Sequence, residues 1–169
     1  MSLNEARPAR FADIPYIIAL GKKCHESSRL FETTEIVEDA ARNFLFTAIK
    51  GHSTPASLMS MSVFVTNGME NEPWISGVII GLLQPRYFVM TEAVVTDLIW
   101  YVDPDMAHPR AGANLLHAMH EWADTFEDGP VARVHCVNDA VMNPRVTGRM
   151  FRMAGYKKTG EIYEKEAEQ

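Results

Sequence analysis

The stretch LIWYVDPDMAHPRAGANLL, residues 98–116, decides the fold. It begins inside an apolar run, Ala93 to Val102, that reads as a strand buried in the middle of a sheet. Asp103-Pro104 stops the strand. From Pro109 the apolar residues change period, and Ala111, Leu115, Met119, Trp122 and Phe126 fall on one stripe of a long helix with Pro109 at its first position. A strand that feeds straight into a helix start makes an anion site. The unpaired N–H groups and the positive end of the helix dipole can hold a pyrophosphate without calling on any particular side chain. Gly112, between the small Ala111 and Ala113, lets a ligand come close to the backbone.

Upstream, Ala6 to Arg10 reads as a short extended segment, and Asp13 caps a helix that tolerates Pro15 in its first turn and runs to about His25. Its apolar positions Ile14, Ile17, Ile18, Leu20 and Cys24 make it amphipathic. Thr33 and Thr34 precede the acidic start, at Glu35, of a second helix carried on through Ala40, Phe44, Leu45 and Ala48. Gly51 to Pro55 breaks that pattern. Leu58 to Thr66 reads as a strand closed by the turn Asn67-Gly68, and Trp74 to Leu83 as a second strand, apolar with few interruptions. The linker Gln84 to Thr91 looks too long for a tight hairpin. Downstream, Gly129-Pro130 ends the long helix and Val131 to Val137 is a short strand. Asn143-Pro144 opens a helix ending near Ala154-Gly155, and Tyr156 to Tyr163 is a last strand. The order β-α-α-β-β-β-α-β-α-β is not the strict alternation of a doubly wound sheet. It predicts an α/β chain with a mixed sheet, one domain over residues 1–169.

Composition narrows the classes. A chain of 169 residues that is 47% hydrophobic carries enough apolar side chain for one core. Sixteen Lys plus Arg against 22 Asp plus Glu gives a net charge of −6, which repels phosphate backbones and anionic membranes, so no nucleic-acid or membrane partner is expected. Cys24 and Cys136, in no paired short spacing, read as buried free thiols. With no leader-like segment and no apolar run of membrane-spanning length, a cytoplasmic location is expected.

Val102-Asp-Pro104 followed by Gly112 and Leu115-Leu116 resembles the fingerprint of the GNAT acyltransferases, a V-x-P-like turn, then Q/R-x-x-G-x-G/A, then two apolar residues. Between the ends the match is partial, with Ala107 at the Q/R position and Arg110 at the first glycine. The segment from Asn143 to Tyr156 is similar to that superfamily's final helix, and Ala6 to Pro15 to its first strand and helix start. The resemblance therefore spans nearly the whole chain. The Arg-Ala-Gly variant and the run His25 to Arg29 resemble a subset associated with bacterial and phage genomes.

The resemblance implies an N-acetyltransferase that moves an acetyl group from acetyl-CoA to a primary amine by direct attack in a ternary complex. The pyrophosphate would lie on the amides of Arg110, Ala111, Gly112 and Ala113, and the pantetheine arm along the strand backbone of Trp100, Tyr101 and Val102. Arg110 contacts phosphate or faces solvent; Asn143 touches the arm or only caps its helix. Glu92 and Asp97 are the candidate bases. Asp97 sits in an otherwise apolar run, where an unpaired carboxylate is costly, so it has a partner or faces a cleft.

The superfamily's general acid, a tyrosine that protonates the departing thiolate, falls on Phe151, which belongs with the donor site but has no ionisable proton. Either Tyr87, Tyr101 or Tyr163 serves, the thiolate leaves unassisted, or activity is lost. That last alternative is a silent domain binding CoA or a protein partner. A doubly wound nucleotide-binding protein is disfavoured by three consecutive strands and by the lack of G-x-G-x-x-G or a P-loop. His117, His120 and Glu121 do not match a zinc-helix spacing, so no metal is expected. The methionines, Met59, Met61 and Met69 among them, read as packing. Tyr87 and Phe88 line an acceptor pocket or fold onto the core. The acceptor, a small-molecule or peptide amine, is not specified by any spacing rule, and a homodimer is left open.

Overall fold

The computed structural model describes residues 5–27, 35–51, 60–67, 74–86, 89–126, 133–135 and 144–158. Five strands form one sheet in the order β1-β2-β3-β4-β5: Arg7–Pro8, Ser60–Asn67, Ile75–Arg86, Val89–Val102 and Arg133–His135. The first four are antiparallel, and β5 lies parallel to β4. Helices α1 (Ile14–Ser27), α2 (Glu38–Gly51), α3 (Ala111–Asp124) and α4 (Pro144–Met153) complete a mixed α+β fold. No helix among the described residues is long and apolar enough to cross a membrane.

The period of two along each strand splits the core into two layers. On one face Ile14, Ile17, Ile18 and Leu20 of α1 and Leu45, Ala48 and Ile49 of α2 pack against Val63, Val65, Val78, Ile80 and Tyr101. On the other, Leu115, Leu116, Met119 and Trp122 of α3 pack against Phe64, Ile79, Leu83, Val95 and Trp100. Each fully buried leucine or isoleucine contributes about 1.5–3 kcal/mol, which is what holds two solvent-facing layers onto one sheet. Leu115 and Ile79 are completely covered.

Several boundaries differ from expectation, each for a local reason. The β3–β4 connection is a tight hairpin, with Arg86 opposite Val89, because β3 runs on past Leu83. Pro85 has no N–H to give the ladder, and the register breaks beside it. Helix α2 begins at Glu38, three residues after Glu35. Helix α3 begins at Ala111, with Arg110 as N-cap, so Pro109 stands before the helix and not at its first position. Residues 156–158 are not strand, and the remainder of the expected last strand lies outside the described residues, as do the ends of the expected 131–137 strand. So do Met59, Met69, Tyr87, Phe88, Cys136, Asn143 and Tyr163. Helix α4 ends as expected: Gly155 is left-handed at φ +86°, Gly155 N–H donates to Arg152 O (3.1 Å) and Tyr156 N–H to Phe151 O (2.9 Å).

Two carboxylates pin the chain where it changes direction. Asp13 reaches back rather than capping forward, accepting from Arg10 N–H (2.7 Å) and from both guanidinium nitrogens of Arg7 (2.7 and 3.0 Å), which fixes β1 to the start of α1. Asp103, at the end of β4, is buried; its Oδ1 accepts from Asp105 N–H (3.0 Å), its Oδ2 from Lys23 Nζ (2.8 Å) and its carbonyl from Ala107 N–H (3.0 Å). The turn leading into α3 is thus wound around one side chain and tied to the end of α1.

Burial pushes the Asp13 carboxyl up, but the Arg7 hydrogen bonds and the Arg10 amide outweigh it and leave the carboxyl below its ordinary value. A depressed folded-state pKa stabilises above the unfolded value of about 4 and loses that contribution as pH falls through the folded one. Asp13→Asn is therefore expected to cost about 1–3 kcal/mol at pH 7 in urea unfolding, with the deficit narrowing below about pH 4. Asp103→Ala strands the Asp105 amide and is expected to cost a similar amount, about 1–3 kcal/mol. Lys23→Met takes the ammonium from Asp103 Oδ2 but leaves Oδ1 on the Asp105 amide, so it should lower the melting temperature less than Asp103→Ala; equal losses would place the energy in the ion pair instead of the turn.

Candidate functional site

The sheet opens along β4. Ile80 faces Ile99 and Gly81 faces Asp97, so Leu98 is an extra residue, a bulge in β4. Before the bulge, Val95 packs beneath α3 and Asp97 lies opposite Gly81, where a Cβ would touch Trp122 and Met119 of α3. After it, Trp100 and Val102 take the α3 face and Tyr101 the α1 face. Leu98 and Ile99 are each 45% exposed in what would otherwise be a covered strand.

Among the described residues, strand β5 pairs with β4 at Val94, Val95 and Thr96. Past Thr96 the outer edge of β4 has no strand neighbour among the described residues. Asp103 N–H donates inward to Ser76 O (2.8 Å), so strand alternation turns the backbone groups of Trp100 and Val102 outward, onto the open edge.

The mouth of α3 stands beside that edge. No side chain of Arg110 caps it. His108 occupies two of the amides expected to be open: its Nδ1 accepts from Arg110 N–H (3.2 Å) and its carbonyl from Ala111 N–H (2.8 Å). Asn114 N–H returns to Arg110 O (2.9 Å), which leaves the amides of Gly112 and Ala113 without a backbone partner among the described residues. A Cβ on Gly112 would stand 3.2 Å from Met150 Cε and 3.5 Å from Trp100 Cζ2, so α4 and β4 both close on this turn. Phe151 is buried between Trp100 and Tyr156, with ring centroids 5.3 Å from each.

Other groups sort by face and distance. Asp97 is buried, on the α3 face next to the bulge, and is not without a partner. Glu92 lies five residues earlier in β4, roughly 16 Å along the strand at ~3.3 Å per residue. Burial pushes the Tyr101 hydroxyl up, a hydrogen bond with Ser27 partly opposing it, on the face away from Phe151. Tyr156 shares a hydrogen bond with His120 Nε2, and burial holds that imidazole below its ordinary pKa. His120 is nine residues into α3, ~13 Å along the helix from its mouth at ~1.5 Å per residue, so this pair serves packing of α4 and not the open edge. His117 pairs instead with Glu121 (3.5 Å). Among the described residues no group of three or more His, Cys, Asp or Glu gathers to hold a metal.

Sequence patterns pointed to neither His108 nor Met150. A histidine three residues before a helix start carries only a faint capping signal, and a methionine tip reaches its neighbour through the fold alone.

No family model matches the sequence, and no curated protein matches it. Solved structures do. The chain is similar to a Trypanosoma brucei acetyltransferase at 14% identity and TM-score 0.65, covering 96% of this chain and 99% of that one. It is similar to glucosamine-6-phosphate N-acetyltransferase from Arabidopsis thaliana at 11% identity and TM-score 0.67, over 97% and 98% of the two chains. It is also similar to the aminoglycoside N-acetyltransferase AAC(6')-Iy, in complex with CoA, at 12% identity and TM-score 0.67, over 96% and 93%. With a bulged fourth strand, a fifth strand laid parallel to it at Val94 to Thr96, and agreement over almost the full length of these enzymes, the protein has the fold of the GNAT acetyltransferases.

Proposed function

We propose that the protein is an N-acetyltransferase that takes acetyl-CoA as donor and a small-molecule amine as acceptor. One juxtaposition supports this best: the backbone edge of β4 at Trp100 and Val102, without a strand neighbour among the described residues, stands beside the Gly112 and Ala113 amides, which have no backbone partner there either. An edge that hydrogen-bonds an extended amide-bearing arm, next to a helix mouth that favours a diphosphate, fits the two ends of one ligand. That some of the similar structures hold CoA or acetyl-CoA supports the same ligand.

In this reading the thioester lies at the Leu98 bulge. The amine nitrogen attacks the carbonyl carbon, the C–S bond breaks, and the amine's proton passes, directly or through water, to a carboxylate. Asp97, beside the bulge, suits that role better than Glu92, which is farther along the strand. The thiolate then leaves without a protein acid, because Phe151 has no proton to give and a thiol is acidic enough to depart near neutral pH. The acceptor approaches past the exposed Leu98 and Ile99. Sugars and aminoglycosides bearing an amine head the list of trial acceptors, since two of the similar enzymes are named for them. A net charge of −6 favours cationic ones.

The buried Phe151 favours a second reading, a silent domain that binds CoA without turnover. Release of free thiol from acetyl-CoA across a panel of hexosamine phosphates, aminoglycosides, polyamines and peptides separates the two. Turnover with any of them excludes silence.

Acetyl-CoA at a hundredfold excess over its dissociation constant should stabilise the protein by about 2.7 kcal/mol, a rise of about 5–10 °C in melting temperature for a chain of this size. No rise at millimolar ligand overturns both readings. Gly112→Leu, whose side chain would press on Met150 and Trp100 and stand over the open amides, is expected to abolish that rise while the circular dichroism of the fold persists.

A further inference from the structure

Among the described residues, one buried side-chain polar atom has no hydrogen-bond partner, the indole Nε1 of Trp100. The side chain is held firmly, 9% exposed and packed on Phe151. Its Cζ2 lies 3.5 Å from where a Cβ on Gly112 would stand, and Cζ2 and Nε1 are bonded to the same ring carbon. The donor edge of the indole therefore faces the first turn of α3, where the Gly112 and Ala113 amides are also without backbone partners.

A ring wanted only for packing does not need an N–H. A dry indole N–H without an acceptor is costly, and buried tryptophans ordinarily satisfy theirs. The neighbour best able to yield is Met150, partly buried, whose unbranched thioether ends 3.2 Å from the same Gly112 point. We infer that the Trp100 indole N–H is a third donor of the α3 mouth, kept for an oxygen of the bound acyl-CoA and uncovered when the Met150 side chain swings aside. This rests on the acyl-CoA reading and adds a side chain to a set of backbone contacts. Negative charge on that oxygen suits the place, since the helix dipole and the two amides converge there.

The test is the indole region of a nitrogen-15 spectrum, where Trp74, Trp100 and Trp122 give three N–H signals, with Trp100 assigned through W100F, or W100Y if the first variant does not fold. Saturating CoA should move the Trp100 signal downfield. W100F should bind CoA about tenfold more weakly, the loss of one hydrogen bond to a charged oxygen, while its unliganded melting temperature stays close to that of the parent. A wild-type protein that binds CoA with the Trp100 signal unmoved, or a W100F that melts lower yet binds CoA equally well, overturns the inference and leaves the acyl-CoA reading standing. A wild-type protein that binds no CoA overturns that reading, and the inference falls with it.

Discussion

The site depends on one extra residue. Where Gly81 pairs with Asp97 and Ile80 with Ile99, Leu98 has no opposite number, and β4 must bend there. A strand of regular register would keep alternating, and Trp100 would turn away from α3. With the bulge, Trp100 and Val102 face α3 while their backbone groups lie on the outer edge of β4, beyond the stretch paired to β5 among the described residues. The bend thus exposes a hydrogen-bonding edge and aims an aromatic ring toward the same place.

What stands across from that edge is assembled mostly from backbone. The Asp103 carboxylate winds the turn, His108 ties up the two amides nearest it, and Gly112 and Ala113 are left open. The economy is in the absence of side chains: a helix start with a serine or aspartate cap would have its amides satisfied from within, whereas Arg110 supplies no cap at all. Lys23 reaches Asp103 from the end of α1, so the helix layer on the opposite face of the sheet is mechanically joined to the turn that sets this mouth.

Phe151 shows how a chemical departure is absorbed by packing. Without a hydroxyl it needs no partner, and it fills the gap between Trp100 and Tyr156. The left-handed Gly155 turns the chain so that Tyr156 folds back on Phe151 and reaches His120. The end of α4 is anchored to the middle of α3 by that contact, which keeps Met150 and Phe151 over Gly112 and Trp100.

The order of strands and helices as far as α4 was legible because apolar spacing reports which face of an element meets the core, and each of α1, α2, α3, β2, β3 and β4 buries one. The Asp103-Pro104 turn and the small residues of 111–113 were legible for the same local reason: they limit what the backbone can do. The length of the β3–β4 hairpin was not, since Pro85 and Arg86 join a strand only because a neighbour is there to pair with. Nor was the start of α3 at Ala111, where His108 bonds the amides of Arg110 and of Ala111 itself. The bulge at Leu98, the isolation of the Trp100 indole and the placing of Met150 against Gly112 came only with tertiary structure. Register is a relation between two strands, and burial of a polar atom is a property of everything packed around it, so neither is written in the residues of one segment alone.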